Sequence, residues 1–267
     1  VRPLFSGTAE PSSIVEIFLD GSSIGTTETR GSGTWYFGTN SDLSDGTYSI
    51  TAKVTDAAGN TSNASSGLSL TVDSSAPSAP STPDLDSSSD TGSSNSDNIT
   101  SDRTPTFSGT AEANSTIEVF LDGSSLGTSS ADGSGNWSFT PSSNLSNGAY
   151  TVTAKATDAA GNTSSASSAL SITIDTTAPS IPTSLTNTSQ GNDTTPTITG
   201  IAEAGSTVKL YSGSTLLGSA TADSNGAFSI TSSALSDGNY SLTATATDSA
   251  GNTSASSSTL SITVDTT

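Results

Sequence analysis

The 267-residue chain contains no Cys, His or Met, and sets 6 Lys and Arg against 25 Asp and Glu for a formal charge of −19. These absences remove disulfides, thiol chemistry, the commonest general base and the commonest transition-metal ligand, and the charge argues against nucleic acid or anionic lipid as a partner. No apolar run approaches the roughly 20 residues of a membrane span and no signal segment is visible, so an export signal or anchor is expected elsewhere in a longer protein.

Hydrophobic residues make up 30% of the chain, low enough to raise disorder, but they are periodic rather than scattered. The chain enters at RPLFSGTAE without a leading strand, and then Val15, Ile17 and Leu19 alternate with polar residues, the period-two mark of a half-buried strand. Tyr48, Ile50, Ala52 and Val54 form a second inward set, and Leu68, Leu70 and Val72 a third, closing at Asp73. After a Pro/Ser-rich linker the pattern returns as Ile117, Val119 and Leu121, then Trp137 and Phe139, then Tyr150, Val152, Ala154 and Ala156, then Leu170, Ile172 and Ile174, closing at Asp175. It returns again as Val208 and Leu210, then Tyr240, Leu242, Ala244 and Ala246, then Leu260, Ile262 and Val264, closing at Asp265.

Turn signals such as Asp122-Gly123, Asp132-Gly133, Asn147-Gly148 and Gly161-Asn162 separate the strands. The closing aspartates lie 102 and 90 residues apart, a domain-sized period rather than a solenoid one. The sequence therefore predicts an all-β chain of three tandem Ig-like β-sandwiches of about seven strands, without disulfides, arranged as an elongated rod. Their bounds are 1–73, 74–175 (with a long acidic loop) and 176–267.

SGTAE, the FLDG turn, TDAAGNTS and the DTTAPSIP-type junction resemble the bacterial Ig-like repeats of giant secreted adhesins and biofilm-associated surface proteins. The resemblance implies a stalk at the cell surface or outside the cell, built from neighbouring repeats of one monomeric chain. Other regions of the protein would then meet a host or biofilm surface. It also implies Ca²⁺ at domain junctions. Two other settings stay open: a module gripping a glycan or host receptor, and a spacer in a secreted polysaccharide-degrading enzyme. Catalysis is not expected, because each candidate carboxylate pair recurs in every copy, whereas an active site has no reason to recur in register with the fold.

Two further features have local readings. Lys53 and Lys155 alternate with inward residues, so both point outward, which argues against a strand cross-link. Phe18, Phe120 and Tyr211 repeat on the outer face, either as a contact surface or covered by a neighbouring strand.

The recurring acids are the main candidate site. In an Ig-like sandwich the last strand ends at the pole joined to the next domain, while the loop after the second strand and the loop before the last strand face the previous one. That logic brings Asp73, Glu112 and Asp158 to one junction and Asp175, Glu203 and Asp248 to the next. Glu10 and Asp56 are left at an unpaired end. Carboxylates about 5 Å apart repel by on the order of 3 kcal/mol at an effective dielectric near 20, so three together would require a counter-charge. Oxygen ligands without His or Cys point to Ca²⁺, with Asn162 and Asn252, backbone carbonyls and water completing the shell. The competing reading is that each Asp closes an Asx-turn and each Glu is solvated. The first linker adds Asp84, Asp86, Asp90, Asp97 and Asp102, of which only Asp102 has a counterpart, Asp193, in the second. Its loop either holds an ion of its own or is a flexible acidic segment.

Overall fold

The computed structural model describes residues 1–267, with no cis peptide bond and no helix. The chain divides into two compact units, residues 1–78 with 157–164, and residues 79–156 with 165–267.

The first unit contains β1 (Leu4–Thr8), β2 (Ile14–Leu19), β3 (Ser22–Glu28), β4 (Thr34–Gly38), β5 (Gly46–Thr55) and β6 (Leu68–Val72). A four-stranded sheet in the order β3-β2-β5-β6 faces the antiparallel pair β1-β4. Alternation decides what goes between them: Val15, Ile17 and Ile50 of the larger sheet are buried with Phe5 and Phe37 of the smaller. Leu68 departs from its expected inward role and is 59% exposed. The smaller sheet has two strands here against three in each sandwich of the second unit, and Leu68 and Leu4 line an open cleft at the uncovered end of the core.

The second unit holds two sandwiches in sequence. The first is made of β7 (Asp84–Leu85), β8 (Ile99–Thr100), β9 (Phe107–Thr110), β10 (Thr116–Leu121), β11 (Ser124–Ser130), β12 (Asn136–Phe139), β13 (Gly148–Thr157) and β14 (Leu170–Ile174). Its sheets run β12-β9-β7 and β11-β10-β13-β14-β8, with β8 parallel to β14. The second is made of β15 (Thr183–Asn187), β16 (Thr197–Ile201), β17 (Thr207–Ser212), β18 (Thr215–Thr221), β19 (Ala227–Thr231), β20 (Gly238–Thr247) and β21 (Leu260–Val264). Its sheets run β15-β16-β19 and β18-β17-β20-β21. Each sandwich closes on its own core, around Phe107, Trp137 and Val152 in one and Ile198, Phe228 and Leu242 in the other.

The sequence signals act locally as chemistry requires. Asp122 and Gly123 both take positive φ, 48° and 79°, the type I′ geometry that suits a two-residue hairpin, and β10 and β11 pair directly across them. Gly109 is dictated by packing: a Cβ there would lie 2.8 Å from the Trp137 ring.

The outer-face residues pair with each other. The Lys53 ammonium lies 5.3 Å from the Phe18 ring centroid and that of Lys155 5.5 Å from Phe120, a cation–π arrangement set up by diagonal neighbours on adjacent strands. Both lysines therefore point outward, as their alternation predicts.

Candidate functional site

The acids occupy turns, and the turns explain nearly all of their bonds. In TDxAGN, the Asp accepts from main-chain amides of its own loop while the Asn four residues on folds back onto it. Asp56 Oδ1 accepts from the amides of Ala58 (2.9 Å) and Asn60 (2.8 Å), and Oδ2 from the Asn60 side chain (2.8 Å). Asp158 does the same with Ala160, Asn162 and the Asn162 side chain. Asp248 is held through both oxygens by Asn252, each at 2.9 Å. These donors stabilise the charged form: the Asn60 and Asn162 side-chain amides, ahead of the other contributions, hold the carboxyls of Asp56 and Asp158 below the ordinary range.

The closing acids behave likewise. Asp73 accepts from the Ser75 amide, Asp175 from Thr177 and Asp265 from Thr267, at 3.0, 2.9 and 3.1 Å. Asp102 and Asp193 cap the amides of Thr104 and Thr195, both at 2.8 Å, and Asp97 that of Ile99 at 3.1 Å. Glu10, Glu112 and Glu203 are exposed, and what each contributes is its main-chain carbonyl, which accepts from the hydroxyls of Ser13, Ser115 and Ser206.

No group of three or more acidic side chains is placed to hold a metal ion. Of the acids expected to gather at the junctions, Asp73, Asp158, Asp175 and Asp248 each accept main-chain amide hydrogen bonds from residues two or four positions on. The Asp oxygens are turned into their own loops, and the donor set as arranged does not fit a three-carboxylate Ca²⁺ site.

The loops do meet the ends of the preceding strands, through different atoms. In the first unit the Asn162 side-chain amide donates to the main-chain carbonyl of Asp73 at 3.1 Å. In the second, Asn252 donates to that of Asp175 at 2.8 Å. One amide thus bonds its own Asp carboxylate and the carbonyl of the preceding repeat's closing Asp. These two asparagines, anticipated as Ca²⁺ ligands through their oxygens, act as donors.

A second contact in the second unit has no counterpart in the sequence reading. The loop after β7 lies on the TDSAGN turn: Thr91 Oγ1 donates to the Ala250 carbonyl at 2.7 Å and the Ser93 amide to that of Ser249 at 3.4 Å. Gly92 is required between them, since a Cβ would fall 1.9 Å from the Ser249 oxygen. Ala250 is completely buried, whereas Ala58 and Ala160, at the same place in their turns, are exposed. The longer first linker was the only signal in the sequence that could have announced this strap.

A family model described as a bacterial Ig-like domain matches residues 1–74, 76–176 and 183–266, and one described as a bacterial Ig-like domain (group 3) matches 135–223. Exoglucanase B of Cellulomonas fimi is 34% identical over 236 residues, 82% of this chain and 20% of that protein. The chain thus spans about a fifth of the length of this curated relative. Among solved structures, the fibronectin(III)-like modules of Clostridium thermocellum CbhA align over 65% of this chain and 85% of theirs, at 17% identity and a TM-score of 0.40. The BSP domain of a biofilm-associated protein aligns over 97% of this chain and 61% of its own, at 15% identity and a TM-score of 0.27.

Proposed function

The chain belongs to the bacterial Ig-like domain family, and from that premise we propose that it is a spacer segment of a secreted or surface-displayed bacterial protein. In this reading it does no catalysis and holds other parts of that protein at a distance. The observation that carries it is the repeated joint: Asn162 to Asp73, and Asn252 to Asp175, join the end of one repeat to the turn of the next through the same atoms. A contact that recurs with the repeat belongs to what repeats, the connection, rather than to a dedicated binding face. In this reading the joint includes an amide–carbonyl bond.

The parent protein is read first as an adhesin or biofilm protein, the setting that SGTAE, TDAAGNTS and the DTTAPSIP junction suggest. A specific observation favours a second setting. Likeness to a region of Exoglucanase B over 82% of the chain supports a spacer within a secreted polysaccharide-degrading enzyme. Both place the chain outside the cell, and the residues flanking it in the parent gene separate them.

Two measurements on the full chain test the spacer role. Pulled between its ends, it should unfold in separate steps, from about 250 Å for the shortest repeat to about 350 Å for the longest at the ~3.3–3.6 Å per residue of extended chain. Incubated with cellulose, mixed-linkage glucan and a glycan array, it should be retained by none. Saturable retention on one glycan would replace the spacer reading with that of a ligand-binding module.

A further inference from the structure

The first repeat leaves a seam between its two sheets open, and the other repeats close the same seam with a strand. β1 pairs only with β4 and β6 only with β5, whereas β9 also carries β7, β16 also carries β15, and β14 also carries β8. Leu4 precedes Phe5 as Thr106 precedes Phe107 and Thr197 precedes Ile198. The amides of those two threonines donate to the Ser89 and Ser189 hydroxyls, each at 3.0 Å. Their carbonyls accept from the amides of Asp86 and Thr188, each at 2.9 Å. Across the seam, the Asp175 and Asp265 amides donate to the carbonyls of Thr100 and Gly191, at 2.8 and 2.9 Å. In the first repeat Leu4 and Asp73 hold these places, and no strand lies opposite them.

The side chains along the seam are uncovered to match. Trp35 is half-buried where Trp137 is 3% exposed, and Ser65 is exposed where Ser167 and Ser257 are buried. Together with Leu4 and Leu68, 69% and 59% exposed, they line a cleft of about 350 Å³. In the second repeat Leu85 of β7 sits beside Phe107 and is buried in the core, and in the third Leu185 of β15 packs against the core. An open strand edge over an apolar floor is the setting for strand addition, in which main-chain bonds supply affinity and inward side chains supply specificity.

We propose that this seam docks an extended Pro/Ser-rich segment with one inward leucine, the chemistry of the linker strands that open the other two repeats. The segment runs antiparallel to β1 with its leucine beside Phe5, as Leu85 lies beside Phe107. The occupant is the linker strand of a further repeat rather than a second copy of this chain, whose own linker strands are already paired within their sandwiches. This goes beyond the spacer reading and does not rest on it.

The probe is a synthetic peptide of residues 79–90, titrated into the isotopically labelled full chain and followed by NMR. The Leu4 and Asp73 amides and the Trp35 indole should shift and saturate, while the Trp137 indole stays in place. A peptide carrying Leu85→Asp should bind at least about tenfold more weakly, because the buried leucine is lost. Leu68→Ser in the chain, at a position exposed enough to leave the fold intact, should weaken binding too. No shift at about 5 mM peptide, beyond a Kd of about 1 mM, overturns the proposal. Equal binding by the two peptides does the same, as do shifts centred outside the first repeat. Dilution of the unaltered chain without peptide should leave the Leu4 and Trp35 resonances unmoved; movement there would put a second copy in the seam and overturn the proposal.

Discussion

Replacing Gly92 by Ala tests whether the strap is held by close backbone contact. Gly92 has φ +107°, and an added Cβ would stand 1.9 Å from the Ser249 carbonyl oxygen and 2.9 Å from the Ala250 carbonyl carbon. Holding a non-Gly residue in such a conformation costs about 1–3 kcal/mol, and forcing a methyl into a filled space about 1–3 kcal/mol more. The strap can avoid both by lifting off, so the loss is capped by what docking contributes. That is two hydrogen bonds, Thr91 to Ala250 and Ser93 to Ser249, at about 0.5–1.5 kcal/mol each, together with the cover over Ala250. A net loss of about 1–3 kcal/mol follows, equivalent to roughly 5- to 150-fold at 1.4 kcal/mol per decade. Hydrogen exchange reads it at Ser101, whose amide donates to Thr91 Oγ1 at 2.8 Å and should exchange faster by that factor. Gly133→Ala is the control, since a Cβ there meets nothing within 4 Å. Unchanged protection at Ser101 and Ser93 in Gly92→Ala would refute the reasoning.

Three further outcomes follow from the joints and the outer face. Asn252→Ala removes the bonds to the Asp175 carbonyl and the Asp248 carboxylate, which is only 7% exposed. It should cost about 1–3 kcal/mol in the urea transition of the third repeat, and Asn60→Ala, whose side-chain amide bonds Asp56 alone, should cost less in the first. The Asp158 carboxyl is depressed chiefly by the Asn162 amide. A depressed folded pKa means its stabilisation is present above the unfolded value of 3.8 and is lost as pH falls through the folded one; in Asn162→Ala, NMR titration should show the Asp158 midpoint moving up toward the ordinary range. Lys155→Ala removes an exposed cation–π contact to Phe120, and thermal unfolding should register no more than about 0.5–1 kcal/mol.

The strands were legible because their signal is one-dimensional. A face buried against a facing sheet must alternate, and Ile117, Val119, Val152 and Ala154 are wholly buried as that rule requires. Leu68 alternates equally well and is exposed, because burial also depends on whether the opposite sheet extends over the residue, which no window around Leu68 encodes. The strap was illegible for a related reason. Thr91 and Ala250 are 159 residues apart, and a Ser/Asp-rich loop carries no pattern that names its contact.

The acids show what the sequence leaves open. A Ca²⁺ ligand and an Asx-turn use the same residue at the same place in a loop, and differ only in whether the carboxylate's lone pairs are already taken. Asn four residues after the Asp favours the turn, since it brings both its main-chain and side-chain amides to the two oxygens. That spacing recurs in the β11–β12 loop, where Asp132 accepts from the amides of Ser134 and Asn136 and weakly from the Asn136 side chain, entirely within its own loop. An Asp-x-x-x-Asn unit that closes a turn there without contribution from a neighbouring repeat was the clue that Asp56, Asp158 and Asp248 close turns too. By the same logic Asp90 stands apart, because the Asn that reaches it does so through one main-chain amide, leaving its other oxygen buried without a partner.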